Sequence, residues 1–147
     1  MSPEKLDATR KAYDEDRRVR AFDGKLKMMQ VVLADKEIPA IMKQESAYEF
    51  FTSVKSWRNE VTIRSVEMSG EYEPGTYISR ISPTPILFIV ANKDTVNTAD
   101  LALKAYKEAR QPKKLVMIEG DHFVPYVEQF DICAKAACDW FKANLFF

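Results

Sequence analysis

Residues 86–91, ILFIVA, form a continuous apolar run with a proline before it and the polar residues Asn92 and Lys93 after it. A strand that is apolar at every position is typical of a parallel sheet, because both faces of such a sheet are covered. A second short apolar run lies in KKLVMIEG, residues 113–120. The pattern between the two runs, ADLALKAYKEARQ, is helical and stops before Pro112. The sequence therefore predicts two parallel strands joined by a right-handed helical crossover.

The first eighty residues carry mainly helical patterns. Ser2-Pro3 is a typical helix start and Asp23-Gly24 a typical end. The stretch KLKMMQVVL fits a helix or a strand, and residues 34–43 around Pro39 are predicted to form a loop. Asn59 is predicted to cap a helix that follows it. Helices are predicted for residues 3–23, 44–57, 58–72 and 124–145.

The length and overall composition of the chain limit the classes of protein to which it can belong. A chain of 147 residues with 46% hydrophobic content can form one domain with a real core, so we predict a single domain over residues 1–147. Its 22 basic and 22 acidic side chains balance, which gives no electrostatic reason to expect nucleic acid as a partner. No run is long enough for a membrane span, and the charged N-terminus lacks the apolar region of a signal peptide, so we expect a cytoplasmic location.

The two cysteines do not predict a disulfide. Cys133 and Cys138 are five residues apart in a helical pattern, which is about 140° around a helix axis. We therefore expect two buried thiols, in a reducing compartment. A single histidine and the absence of a CxxC pair predict no metal, and no nucleotide-binding loop is present, so we expect no cofactor.

One acid and one imidazole follow the two predicted strands. Asp94 comes after ILFIVA, and His122, the only histidine, comes after KKLVMIEG. Neighbouring strands lie about 4.8 Å apart, so side chains just past their carboxyl ends can meet. A carboxylate that binds one imidazole nitrogen fixes the tautomer and leaves the other nitrogen as a general base. Two plainer interpretations stay open: a structural histidine, and an Asp94 that only caps a loop.

The segment PTPILFIVANKDTVNTADLALKAYKEARQPKKLVMIEGDHFVPYVEQF resembles the C-terminal part of an α/β-hydrolase. By this resemblance Asp94 matches the acid and His122 the base of that family's catalytic triad. Residues 1–80 resemble its helical lid region, and residues 81–147 its final strand-helix-strand-helix unit. The resemblance predicts an α/β fold, a truncated half of the hydrolase fold.

The chain departs from that family at the nucleophile. None of the four glycines takes part in a G-x-S-x-G elbow, which an α/β-hydrolase uses to present its serine. In size and half-fold character the chain is similar to short hydrolase-like proteins of fungal polyketide pathways of the aurovertin, citreoviridin and asteltoxin type, which are associated with epoxide opening. The resemblance therefore implies a hydrolase or cyclase that opens epoxides of a hydrophobic polyene with an Asp94–His122 dyad and no serine.

The remaining expectations concern accessory residues and partners. A second acid or a substrate contact is expected from Glu67, Tyr72, Trp57 and Phe123. A sheet of two or three parallel strands leaves edges that need cover, so we expect a homodimer. The alternative function is a non-catalytic half-hydrolase binding module, or a split-enzyme subunit whose nucleophile lies on a partner chain.

Overall fold

A computed structural model describes residues 2–35 and 38–145. The chain divides into two compact units, residues 1–73 and residues 74–147. The predicted class, a mixed α/β fold with a small parallel strand-helix-strand-helix unit, is confirmed. The number of independently folding domains stays a prediction. Among the described residues, no helix is both long and apolar enough to cross a membrane.

The first unit combines three helices with a small mixed sheet. The first helix, α1 (Pro3–Asp23), ends before Gly24. Gly24 has a φ of 66°, a left-handed conformation that glycine adopts at little cost. Strand β1 (Met28–Val32) lies at the centre of the sheet. It is parallel to β2 (Ala40–Met42) and antiparallel to β3 (Val61–Thr62). The elements are α1 (Pro3–Asp23), β1 (Met28–Val32), β2 (Ala40–Met42), α2 (Glu45–Thr52), β3 (Val61–Thr62) and α3 (Ile63–Glu71).

The three strands correct the sequence analysis of this unit. The ambiguous stretch KLKMMQVVL contains strand β1, and the loop predicted for residues 34–43 contains β2. Residues 36 and 37 of that predicted loop lie outside the described residues. The helix predicted for residues 58–72 begins only at Ile63, because the residues before it pair with β1.

Asn59 does not cap a helix, which is a second correction. Its Oδ1 accepts hydrogen bonds from the backbone N–H groups of Val31 and Val32, at 3.0 and 2.9 Å. Its Nδ2 donates to the carbonyl oxygen of Val32 at 2.8 Å. The cap of α3 is instead Thr62, whose Oγ1 accepts from the N–H of Ser65 at 3.0 Å. Asn59 therefore closes the edge of a strand that lacks a backbone partner at that point.

The second unit is built around two parallel strands. A 3₁₀ helix, Pro74–Arg80, leads into β4 (Ile86–Ala91), followed by α4 (Ala99–Glu108), β5 (Lys113–Ile118), a 3₁₀ turn (Val124–Tyr126) and α5 (Phe130–Leu145). Strands β4 and β5 pair in register from Ile86 opposite Lys113 to Ala91 opposite Ile118. The two strands and their helical crossover are therefore as predicted.

The two helices of this unit cover opposite faces of the strand pair. A buried cluster contains Ala91 of β4, Ile118 of β5 and Cys133 of α5. Ile89 and Val116 pack against this cluster. On the other face, the rings of Phe88 and Tyr106 of α4 meet edge to face, with centroids 5.6 Å apart. Because successive side chains of a strand point to opposite faces, α5 covers the face of Ile89 and Ala91, and α4 the face of Phe88.

The last helix starts later than predicted. The predicted helix from Val124 is interrupted at Val127, whose φ of −125° and ψ of −87° are not helical. Asp121 fixes the preceding turn, since its Oδ1 accepts from the N–H groups of Phe123 and Val124 at 3.0 and 3.3 Å. These contacts favour a separate 3₁₀ turn, and α5 begins at Phe130.

Only one of the two thiols is buried, which corrects the expectation for both. Cys133 is 7% exposed in the cluster under α5, whereas Cys138 is exposed, and both are free thiols. Burial raises the pKa of the Cys133 thiol. Since the thiolate is the reactive form, Cys133 has both a lower thiolate fraction and less access to reagents.

Alkylation of the native protein should therefore modify Cys138 and spare Cys133. Intact-mass analysis after brief iodoacetamide treatment is expected to show one adduct in the native protein and two after unfolding in guanidinium. A Cys138→Ser variant is the control, and it should gain no adduct while native. Two adducts at equal rates in the native protein would contradict the packing of Cys133 under α5.

Candidate acid-base site at the ends of two parallel strands

Asp94 and His122 lie beyond the carboxyl ends of the two parallel strands. Strand β4 ends at Ala91 and β5 at Ile118, and these two residues are register partners, so the strands end level with each other. The loops that follow therefore start side by side. His122 Nδ1 lies 2.8 Å from Asp94 Oδ2, which is hydrogen-bond distance.

The carboxylate of Asp94 is held through both of its oxygens. Its Oδ1 accepts from the backbone N–H groups of Val96 and Asn97 at 2.8 and 2.9 Å. Its Oδ2 contacts the imidazole, and the side chain is only 12% exposed. Asp94 therefore caps the loop that follows β4, as the plainer interpretation proposed, and it also contacts His122.

The contact determines which nitrogen of His122 is available. An ionised carboxylate can only accept hydrogen bonds, so the imidazole donates its Nδ1–H to Asp94. In the neutral ring the lone pair then lies on Nε2. An imidazole with a proton held at Nδ1 and a free Nε2 is the arrangement that general-base catalysis requires.

A set of hydrogen bonds ties the two loops together. Asn92 donates its backbone N–H to the carbonyl of Ile118 at 2.9 Å, and its Oδ1 accepts from the N–H of Gly120 at 3.1 Å. Lys93 donates its backbone N–H to the carbonyl of Gly120, also at 2.9 Å. Hydrogen bonds from Lys93 and Asn92 hold the pKa of the Glu119 carboxyl below its usual range, and the same ion pair raises the pKa of Lys93. These contacts fix the distance between the strand ends that carry the dyad.

Gly120 is required by its conformation and by its surroundings. Its φ is 133°, a value that L-residues rarely adopt. A Cβ at this position would lie 2.6 Å from Cγ2 and 2.9 Å from Cβ of Val124. The backbone of the loop therefore passes so close to the 3₁₀ turn that only glycine fits at residue 120. This close packing holds the loop that carries His122 in position.

Aromatic rings surround the imidazole. The ring of Phe123 meets that of His122 edge to face, with centroids 4.9 Å apart, and the Tyr126 ring lies 6.3 Å away. Phe123 is 6% exposed and does not line the adjoining cavity. Phe123 therefore contacts the imidazole of His122 and not the cavity.

An open, mostly apolar cavity of about 500 Å³ adjoins the dyad. This volume is within the range of small-molecule pockets in proteins. The residues with polar side chains on its wall include Asp94, Asn97, His122 and Tyr126. The remaining lining residues are Ile89, Val90, Ala91, Ala102, Pro125, Phe130, Cys133, Ala134 and Ala137. The imidazole of His122 therefore lies on the wall of a mostly apolar cavity.

Three of the predicted accessory residues belong to the first unit. Glu67 is buried in α3, and its Oε1 lies 3.2 Å from a guanidinium nitrogen of Arg17. Tyr72 follows α3 and is 72% exposed. Trp57 stacks on Phe51 with ring centroids 4.9 Å apart. Roles for Glu67, Tyr72 and Trp57 in catalysis or substrate binding remain predictions.

Several lining residues were missed by the sequence analysis. Tyr126, Asn97, Cys133 and Ala137 all form part of the cavity wall. The helical spacing of Phe130, Cys133 and Ala137 was a detectable signal, but it is equally typical of a helix face packed in a core. Among the described residues, no group of three or more His, Cys, Asp or Glu side chains is arranged to hold a metal ion.

No model of a known protein family matches the chain, and no curated protein matches it. Several solved structures are similar to it. The α/β hydrolase GrgF from Penicillium sp. sh18 has a TM-score of 0.78 and 20% sequence identity, over 99% of this chain and 52% of that one. DcsB, solved in complex with its substrate analogue, has a TM-score of 0.80 and 19% identity, over 97% and 52%. The hypothetical protein PA2218 from Pseudomonas aeruginosa has a TM-score of 0.72 and 18% identity, over 98% and 46%.

These comparisons establish the fold. The chain spans about half the length of each similar structure, and over that half it follows the α/β-hydrolase fold. The expectation of a hydrolase-like half-fold is therefore confirmed. At identities near 20%, a common fold does not carry a substrate or a reaction across.

Proposed function

We propose that this chain is an acid-base enzyme in which Asp94 and His122 activate an oxygen nucleophile to open an epoxide on a hydrophobic ligand. The observation that carries the proposal is the 2.8 Å contact between Asp94 Oδ2 and His122 Nδ1, with the imidazole on the wall of an apolar cavity. The absence of a G-x-S-x-G elbow in the sequence argues against ester hydrolysis through a serine of this chain.

Epoxide opening suits a dyad without a serine. His122 Nε2 takes a proton from water or from a hydroxyl of the ligand while the oxygen attacks an epoxide carbon. The carbon–oxygen bond of the strained ring breaks, and its electron pair goes to the former ring oxygen. The imidazolium, stabilised by Asp94, then returns the proton to that alkoxide. The product is a diol if water attacks and a cyclic ether if the ligand's own hydroxyl attacks.

The lining of the cavity supports an apolar substrate. Most of its wall is aliphatic or aromatic, so burial of an apolar carbon chain is favourable, and the polar residues Asp94, His122, Asn97 and Tyr126 also line it. A polyene polyketide epoxide has this character, and such a compound is the substrate that we propose. The location that we expect remains the cytoplasm.

Turnover of epoxides in water labelled with ¹⁸O tests this function. A long-chain epoxide without a hydroxyl should yield a diol with one labelled oxygen, and a hydroxy-epoxide should yield an unlabelled cyclic ether. A short polar epoxide is the matched control, and it should react more slowly because it buries less apolar surface. Absence of any catalysed opening across such a panel would refute the proposal.

A second candidate function is a subunit of a split enzyme or a non-catalytic binding module. It is favoured by the span of about half the length of the similar structures, together with the missing nucleophile elbow. It predicts that the cavity binds an apolar ligand with no turnover by this chain alone. Calorimetric binding of the long-chain epoxide that is unaffected by His122→Ala, without any product, would favour this candidate over the first.

A further inference from the structure

The hydrogen-bond ladder between β4 and β5 ends on a side chain. Asn92 donates its backbone N–H to the carbonyl of Ile118, as the register of the two strands requires. In a regular parallel ladder the next amide, that of Gly120, donates to the backbone carbonyl of residue 92. Here it donates to the side-chain Oδ1 of Asn92, at 3.1 Å. The side chain of Asn92 therefore makes the contact at which the two strands part.

The turn that carries His122 is held together by its own contacts. Asp121 Oδ1 accepts from the N–H groups of Phe123 and Val124. Gly120 packs against the side chain of Val124 so closely that a Cβ has no room. Because these contacts tie the turn into one piece, the position of the imidazole depends on how Gly120 is attached to the end of β4.

Gly120 is attached there by a backbone hydrogen bond and by a side-chain hydrogen bond. Lys93 donates its backbone N–H to the carbonyl of Gly120 at 2.9 Å, a contact that does not depend on the lysine side chain. The side-chain bond is the one to Asn92 Oδ1. The Nδ2 of the same amide donates to Oε2 of Glu119, which keeps Oδ1 turned toward Gly120. The sequence can therefore change this attachment through Asn92.

We propose that Asn92 is a positioning residue, whose side-chain amide holds the turn of His122 where the imidazole meets Asp94. The loop of Asp94 is fixed separately, by the bonds from the amides of Val96 and Asn97 to its Oδ1. The 2.8 Å contact between Asp94 and His122 therefore joins two loops that are held independently. Asn92 does not line the cavity, so it acts on the base only through the turn.

Loss of the Asn92 amide should loosen the dyad without removing either of its members. Asn92→Ala is expected to raise the Nε2–H fraction of the neutral ring, because the contact with Asp94 is what favours a proton on Nδ1. For epoxide opening, kcat should fall by up to about 10²-fold, since a small misplacement of a reacting group has that effect. KM should change little, because Asn92 lies outside the cavity wall. The kinetic effect rests on the proposed function, but the change of tautomer does not.

A reversed hydrogen-bonded pair tests the amide contacts themselves. Asn92→Asp replaces the donor Nδ2 by a second carboxylate oxygen, which repels the carboxylate of Glu119. Adding Glu119→Gln restores both contacts. The carboxylate at residue 92 then accepts from the Gly120 N–H with one oxygen and from the new amide at residue 119 with the other. The formal net charge stays that of the wild type, because one substitution adds a negative charge and the other removes one.

Long-range ¹H–¹⁵N NMR spectra at alkaline pH locate the imidazole proton in each protein. We expect the Nε2–H form to increase in Asn92→Asp and the Nδ1–H form to return in the double variant. Glu119→Gln alone is the matched control. It removes the ion pair with Lys93 but keeps an acceptor for Asn92, so its spectrum should match the wild type. Urea denaturation measures the stability of each variant separately.

A ring that keeps its Nδ1 proton in both Asn92→Ala and Asn92→Asp would overturn the proposal, even if both variants were less stable. A double variant with the spectrum of Asn92→Asp would overturn it as well. Asn92→Asp and the double variant keep the size of the side chain, so the test stands even if Asn92→Ala does not fold. If the tautomers follow the expected order but no protein turns over an epoxide, the proposed function fails and the positioning role of Asn92 holds.

Discussion

Replacing His122 by alanine is expected to lower kcat/KM for epoxide opening by about 10²–10⁴-fold, the usual contribution of a general base. Asp94→Asn is expected to cause a loss in the same range, although it leaves an oxygen that can still accept from the amides of Val96 and Asn97. The asparagine amide group can donate to Nδ1, which moves the imidazole proton to Nε2 and removes the base. Steady-state kinetics on the long-chain epoxide measures both losses.

Asp131→Asn is the matched control for the carboxylate. Asp131 is an exposed acid in the first turn of α5 and does not line the cavity. Its replacement removes the same charge and should leave kcat/KM within about twofold of the wild type, as is usual for surface substitutions. Full turnover by both His122→Ala and Asp94→Asn would mean that the dyad takes no part in the reaction.

Gly120→Ala is expected to be the most destabilising small substitution in the loops around the site. The left-handed backbone at φ 133° adds about 1–3 kcal/mol of strain to a non-glycine residue. The contact at 2.6 Å with Val124 adds an overpacking penalty of about 1–3 kcal/mol. We therefore expect the free energy of unfolding to fall by about 2–6 kcal/mol, measured by urea denaturation.

Two further variants separate strain from overpacking. Gly75→Ala is the control, because no atom lies within 4 Å of the added Cβ and its backbone is not in the left-handed region, so stability should change little. Combining Gly120→Ala with Val124→Ala removes the contacts with the Val124 methyl groups and leaves the backbone strain and the 2.9 Å contact with Cβ of residue 124. The double variant should be less affected by the alanine at residue 120 than the single one. A Gly120→Ala protein as stable as the wild type would contradict the described loop.

The parts of the fold that local sequence determines were predictable. Ile86–Ala91 is apolar at every position, and that pattern predicts a strand covered on both sides. The two parallel strands then limit where polar groups can converge, and Asp94 and His122 follow from that rule. The resemblance to α/β-hydrolases supported the same two residues.

The short strands of the first unit depend on contacts between distant residues. Strand β3 has only two residues, Val61 and Thr62, and it pairs with β1 although strand β2 and helix α2 lie between them in the sequence. Part of the edge of β1 is closed by the side chain of Asn59 rather than by a strand. Neither contact leaves a periodic signal in the sequence, so the pattern of residues 58–72 was interpreted as a helix.

The sequence pattern did not predict the start of α5 or the wall of the cavity, because both depend on contacts between separate segments. Asp121 fixes the 3₁₀ turn before α5, and Gln129 donates its Nε2–H to the carbonyl of Glu119 at 2.6 Å. These contacts hold the chain away from a continuous helix over Val124–Leu145. Small lining residues such as Ala134 carry no chemical signal, and their role follows only from the position of α5.

The most direct test of the Asp94–His122 dyad is to determine which nitrogen of the single imidazole carries the proton. A long-range ¹H–¹⁵N NMR spectrum at alkaline pH, where the ring is neutral, identifies the protonated nitrogen without assignment, because His122 is the only histidine. We expect a proton on Nδ1 and a bare Nε2 in the wild type, and a shift toward the Nε2–H form in Asp94→Ala. A wild-type ring protonated mainly on Nε2, or the same spectrum in both proteins, would show that Asp94 does not orient the base.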